Sequence, residues 1–292
     1  MDYRELSQSM YKLIHRTCTE LPQDITGAIE NAVRQEENGS IAQETLGIIL
    51  ESASLSRGKK LPLCQDTGVL FAFIQAPPDE RIFQVEDAIK DAVKRLTKEG
   101  ILRQNCVDPE TEANTLDNTG PYVPQIHFAP VPGPMMVSIM LKGGGSENVS
   151  LQYSLPLQRI HASRDLEGVR RCVLDAAHQA QGHGCAPGIL GVCIGGDRAS
   201  GYLVAKKQLF RKLDHENPSP VLASLEQTIL QEANTLGIGP MGLGGRTTLL
   251  GVKIGVAGRH PASYYVTVSY SCWATRRYTA ELSDEGNIRK WN

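Results

Sequence analysis

Residues 61–68 read Leu-Pro-Leu-Cys-Gln-Asp-Thr-Gly. A thiol, an amide, a carboxylate and a hydroxyl stand side by side, with Pro62 before them and Gly68 after them. Reactive side chains bracketed by turn-formers predict a loop that carries chemistry rather than packing. Cys64 sets the choice of chemistry, because a thiolate is a metal ligand or a nucleophile.

Six further cysteines stand at 18, 106, 172, 185, 193 and 272. The odd total and a charged N-terminus without a signal peptide predict reduced thiols and a cytoplasmic location. No C-x-x-C pair occurs, which argues against a zinc ribbon or a thioredoxin-like motif. Cys18 and Cys172 fall in helical patterns and Cys193 in an apolar run, so all three read as small buried hydrophobes. Beside Cys106, Arg103 and Asn105 are the more functional residue types. Cys64, Cys185 and Cys272 differ from the rest because each sits at the end of an element. Cys185 lies in Gly-His-Gly-Cys-Ala-Pro-Gly, and Cys272 is followed by Trp-Ala-Thr-Arg-Arg. The three are too dispersed for a ferredoxin run but suit a centre assembled by tertiary folding. Spacing alone leaves that centre open against three unrelated thiols.

Glycine-rich segments mark other candidate positions. Gly143-Gly144-Gly145-Ser146-Glu147-Asn148 follows a strand and is either an anion-binding nest of backbone N–H groups or a tight turn. Gly195-Gly196-Asp197 reads as a turn in which Asp197 can cap a following helix. Gly237-Ile238-Gly239-Pro240-Met241-Gly242 matches G-x-G-x-x-G but follows a helix, and Pro240 lacks the N–H a phosphate needs. It is therefore not a dinucleotide site.

The elements that must position these residues show in the apolar spacing. Residues 1–56 read as helices, with Ser40 and Gln43 as a capping box before Ile41, Leu46, Ile49 and Leu50. Strands are predicted at 69–74, 126–131, 135–141, 188–196, 248–257 and 264–270. Helices are predicted around 85–96, stopped by Gly100, and over 165–181 and 222–236. The fold class is mixed α/β (α+β): a helical N-terminal part, 1–56, leading into a body with several short strands. The 292 residues suffice for a large core, and 41% hydrophobic residues exclude disorder. A net charge of −2 with scattered basic residues argues against a nucleic-acid surface. No apolar run approaches the roughly 18 residues of a membrane span.

Four segments together, 61–68, 143–148, 182–197 and 271–277, resemble class I, iron–sulfur-dependent fumarate hydratases and the related L(+)-tartrate dehydratases. They agree in order and rough spacing, and the resemblance covers nearly the whole chain, 1–292, as one α-subunit domain. It implies a 4Fe–4S cluster held by Cys64, Cys185 and Cys272, with one iron not ligated by cysteine and available as a Lewis acid. Cys193 is the competing position for the second ligand; the cysteine before Pro-Gly fits the family pattern better. The resemblance also implies a dicarboxylate substrate, with Gln65, Asp66, Arg103, Gly145 and His260 contacting it. Asp66 and His260 would share in the chemistry. His127, His178 and His183 are read as structural.

In the fused members of that family, further substrate-binding residues and a base belong to a second domain. The expectation is therefore a β subunit that completes the pocket, with αβ pairs associating as a dimer of dimers. The implied reaction is reversible hydration of fumarate to (S)-malate, or dehydration of L(+)-tartrate to oxaloacetate. Two other readings use the same residues differently: a non-catalytic iron–sulfur sensor or scaffold, and an enzyme with Cys64 as nucleophile.

Overall fold

Leu6, Met10, Leu13, Ile14 and Cys18 recur at helical spacing, and all five are fully buried. Each large side chain in such a stripe contributes about 2 kcal/mol by leaving water, which is what makes the first helix form. The computed structural model describes residues 1–78 and 81–291. In chain order the elements are α1 (Tyr3–Thr19), α2 (Gln23–Gln35), α3 (Ile41–Lys59), β1 (Val69–Ala76), α4 (Arg81–Lys98), β2 (Gln125–Pro130), β3 (Met135–Lys142) and α5 (Gly144–Asn148). They continue with β4 (Leu151–Ser154), α6 (Leu166–Ala180), β5 (Gly188–Gly195), α7 (Arg198–Gln208), α8 (Pro220–Asn234), β6 (Leu249–Ala257), β7 (Tyr265–Ser271), β8 (Arg276–Leu282) and β9 (Ile288–Trp291). The fold is α+β with a helical N-terminus, as the sequence predicts. No helix among the described residues is long and apolar enough to cross a membrane.

The chain divides into two compact units. The first comprises Met1–Pro22, Ser52–Gly144 and Ala274–Asn292. Its sheet has the order β2-β1-β3-β8-β9, in which only β1 and β2 run parallel. Helices α1 and α4 pack together over it, and Leu13, Ile89, Val137 and Leu282 belong to their common core. The second unit comprises Gln23–Glu51 and Gly145–Trp273. Its sheet has the order β4-β7-β5-β6, with β5 and β6 parallel. Every residue of β5 is buried. Leu190, Val192 and Ile194 point into the core that α6 and α8 share, while Gly191 lies against α7. A side chain at 191 would sit 2.2 Å from the Ala205 carbonyl, so glycine is required for α7 to approach. Burial on both faces explains why β5 reads as a continuous apolar run.

Several local readings are refined. The Ser40 hydroxyl accepts the Gln43 N–H at 3.2 Å, but the Gln43 side chain accepts from Gly39, not Ser40, so only half of the capping box forms. Asp197 caps α7 in a full box with Ser200. The strands β8 and β9 were not anticipated after Cys272. β8 opens with two arginines, and both are buried, a burial that an apolar pattern cannot signal.

Candidate functional site

The Cys64 loop is a bend between α3 and β1, as predicted. Cys64 and Asp66 are half-buried, Gln65 is exposed and Thr67 is fully buried. Asp66 is fixed by backbone donors: Oδ1 accepts from the Gly68 N–H at 2.9 Å and Oδ2 from the Gly144 N–H at 2.8 Å. A Cβ at position 143 would lie 2.7 Å from Oδ2, so Gly143 leaves the space this carboxylate occupies. Gly68, with φ +75°, has no room either; its Cβ would stand 2.5 Å from the Lys142 carbonyl. The anion received at Gly144 is thus the chain's own carboxylate.

The same loop organises its neighbours. Thr67 Oγ1 accepts from the Arg103 N–H at 3.0 Å and from Asn105 Nδ2 at 3.1 Å. Asn118, buried, accepts from the Asn105 and Cys106 N–H groups and donates to the Arg103 carbonyl and Thr97 Oγ1. The Arg103 side chain is left exposed. From β8, Arg276 Nη2 donates to the Asp66 carbonyl at 2.9 Å.

In the second unit the structure brings Cys185 and Cys272 together. The Trp273 N–H donates to the Cys185 carbonyl at 3.2 Å, and the Cys272 N–H donates to Ser146 Oγ at 3.2 Å. Cys185 adopts φ +50°, ψ +61°. A non-glycine residue pays roughly 1–2 kcal/mol for left-handed backbone, a strain typical of functional positions. Three supports hold it there. The turn at 240–242 lies behind the loop, with the Met241 N–H on the Ala186 carbonyl at 2.8 Å. Gly182 and Gly242 meet backbone to backbone, so the G-x-G-x-x-G stretch serves as a prop. Tyr270 fills the loop's interior: a Cβ at Gly184 or Gly188 would fall 2.6 or 2.3 Å from its ring. Burial raises the Tyr270 phenol well above its ordinary range, with the neighbouring thiols of Cys272 and Cys185 adding to the shift.

The cysteines divide by burial. Cys18, Cys106, Cys172 and Cys193 are buried, whereas Cys64, Cys185 and Cys272 are partly exposed, and none of the seven is in a disulfide. Burial pushes the thiols of Cys18 and Cys193 up to about 11 and that of Cys172 up to about 12. Cys193 lies mid-strand in β5, opposite Thr267. Gly145 is exposed at the start of α5, 3.5 Å from the His183 carbonyl as a Cβ would measure it. No group of three or more His, Cys, Asp or Glu among the described residues is tight enough for a single metal ion. A cluster does not need one, because each cysteine serves a different iron.

His260 lies apart from the cysteine pair of its own unit. It is exposed in the connection from β6 to β7, where its Nδ1 accepts from the Ala262 N–H at 3.1 Å. That connection follows the Gly195–Ala257 end of the sheet, whereas Ser271 pairs with Ile189 at the other end, beside Cys185. At about 3.3 Å per residue, β5 separates the two ends by roughly 20 Å. The residues between His260 and Cys272 are mostly β7 itself, so nearness in sequence becomes a strand's length in space.

Sequence reasoning missed Asn118, Tyr270 and Arg276 and gave Thr67 and Ser146 no role of their own. Thr67 and Ser146 adjoin residues already singled out. Asp117-Asn118-Thr119-Gly120 is a turn composition that marked the position without its role.

The sequence profile of the fumarate hydratase (Fumerase) family matches residues 7–281. A Geobacillus stearothermophilus protein named as a class I fumarate hydratase is 45% identical over 98% of this chain. The chain spans 57% of that relative's length. A Methanocaldococcus jannaschii protein named as L(+)-tartrate dehydratase subunit alpha is 35% identical, covering 94% of this chain and 96% of its own. The L(+)-tartrate dehydratase subunit alpha of Escherichia coli K12 is 29% identical, with 89% and 85% covered.

Proposed function

Because the chain belongs to the fumarate hydratase family, we propose that it is the α-type part of an iron–sulfur hydro-lyase, hydrating fumarate reversibly to (S)-malate. The observation that carries this reading is the division of the thiols. The three cysteines that are not buried are Cys64, Cys185 and Cys272, the soft donors an iron–sulfur centre requires. They are its proposed ligands. Held by three thiolates, a 4Fe–4S cluster supplies a Lewis-acidic iron for a hydroxyl and carboxylate.

This chain's own residues supply the surrounding contacts. Asp66, immobilised by the Gly68 and Gly144 N–H groups, keeps spare lone pairs on both oxygens. It accepts a hydrogen bond from the substrate hydroxyl and holds it for proton transfer. Gln65 is exposed beside it to donate to a substrate oxygen. Arg103, anchored through its backbone to Thr67, clamps a carboxylate with its planar fork. The Gly145 backbone completes that contact. A β-type partner supplies the remaining cations and the base. His260, at the opposite end of its sheet from Cys185 and Cys272, is assigned no substrate contact in this reading.

One observation favours a second substrate. The chain covers nearly the full length of the tartrate dehydratase alpha subunit from M. jannaschii, which makes L(+)-tartrate dehydration the alternative. The test is anaerobic co-purification of the chain with its partner, iron and sulfide analysis, and assays on malate and on tartrate. Cys64→Ser and Cys185→Ser abolish iron retention and Cys193→Ser leaves it; retention in Cys185→Ser with loss in Cys193→Ser would move the second ligand to Cys193. A colourless preparation that is active would refute the cluster.

A further inference from the structure

Among the described residues Arg276 is the largest fully buried side chain, with 1% of its surface exposed. Its Nε and Nη1 have no hydrogen-bond partner, and only Nη2 is engaged, by the Asp66 carbonyl at 2.9 Å. No carboxylate pairs with it among the described residues, since both Asp66 oxygens take backbone N–H groups instead. On β8 it shares a face with Tyr278, Ala280 and Leu282, which belong to or pack on the core under α1. Its position in that row brings it to the end of α1, where the Cys18 carbonyl accepts from the Leu63 N–H. The Cys18 thiol is raised chiefly by burial, lowered by the Arg276 charge and raised by Cys64. Through Asp66 and Leu63, which flank Cys64, the same loop touches both Arg276 and the end of α1.

A buried guanidinium with two idle donor nitrogens is costly, and one carbonyl does not offset the loss of water. The sequence tolerates it where an anion later arrives. Cys18 is not that anion, because burial keeps its thiol protonated. Cys64, partly exposed, is the remaining sulfur of this neighbourhood.

We propose that Arg276 is the built-in counter-charge of the Cys64 corner, a positioning residue that balances the negative charge gathered there while its Nη2 holds the Asp66 carbonyl. This rests on the cluster reading above. The bound centre and its thiolates would be anionic, so a fixed cation bonded to the backbone two residues from Cys64 would strengthen their retention. The same contact sets the direction of Asp66 without touching substrate.

The full chain is loaded anaerobically with ferrous iron and sulfide, as wild type, Arg276→Met and Arg276→Lys. Iron release to a chelator should be about 10- to 100-fold faster in the methionine variant, the usual effect of losing a partner of a metal ligand. The lysine variant should recover part of that loss. The cluster's reduction potential should fall in the methionine variant, because a positive charge has gone. Without iron, Arg276→Met should melt at or above the wild-type temperature, since an unpaired buried charge has been removed. A purely structural arginine would lower the apo melting temperature and leave the potential unchanged, and that result overturns the proposal. Equal iron release by loaded wild type and Arg276→Met overturns it alone. A wild type that takes up no iron and sulfide removes the cluster reading as well.

Discussion

Asp66 and Gly144 are joined by a 2.8 Å hydrogen bond in which the backbone N–H donates to the carboxylate. The pair lies 78 residues apart in sequence and closes the Cys64 loop onto the end of β3. An exposed, charge-assisted bond of this kind is worth up to about 1 kcal/mol. Asp66→Asn, with one acceptor oxygen for two donors, should lower the urea midpoint by that order. Gly143→Ala should do the same by driving a methyl into Oδ2. Unchanged unfolding curves for both would show that the bond carries no stability.

Thiol chemistry checks the division of the cysteines. In native, metal-free protein at pH 8, an alkylating reagent should modify Cys64, Cys185 and Cys272 and spare Cys18, Cys106, Cys172 and Cys193. Peptide mass mapping reads this directly. Rapid modification of Cys193 would contradict its mid-strand burial.

Alkaline stability follows from the same burial. The thiols of Cys18, Cys172 and Cys193 rise from an ordinary 9.0 to about 11, 12 and 11. Each folded value lies above the unfolded one, so the folded state binds more protons in that interval. The stabilisation is fully present below about pH 9 and is lost as pH rises towards 11–12. Melting temperature should decline across that window. Cys193→Ala should decline less steeply, which separates the thiol contribution from that of lysines and tyrosines.

The Tyr270 ring and the Gly184–Gly188 loop make a coupled pair. Gly188→Ala should cost about 1–3 kcal/mol by overpacking, because its methyl would meet the ring at 2.3 Å. In a Tyr270→Leu background the same change should cost at least about 1 kcal/mol less. Additive effects in denaturant titrations would mean that the loop yields without the ring.

How much of this was legible in the sequence depended on whether the signal was apolar periodicity or polar burial. The stripe Leu6–Met10–Leu13–Ile14 announced a helix where α1 lies, and the run 188–196 matches β5 to within a residue. The Asp66 loop and the Cys185 loop were found from residue type alone. What stayed hidden was carried by buried polar groups. Arg276 reads as surface until the fold shows it inside, and β8 was missed with it. Tyr270 reads as strand core, and only the close approach of Gly184 and Gly188 shows it as the former of the Cys185 loop. His260 stands close to Cys272 in sequence, but the residues between them are spent crossing the sheet along β7.

The sheet order β2-β1-β3-β8-β9 has a consequence for biosynthesis. Its first strands leave the ribosome early, yet β3 waits for β8, and Asp66 waits 210 residues for Arg276. The second unit, whose last residue is Trp273, is complete before that strand appears. The unit begun first therefore finishes last, at high contact order. The nascent Cys64 loop lacks its cation until β8 has been synthesised, so the order of translation itself delays that corner from maturing ahead of the rest of the chain.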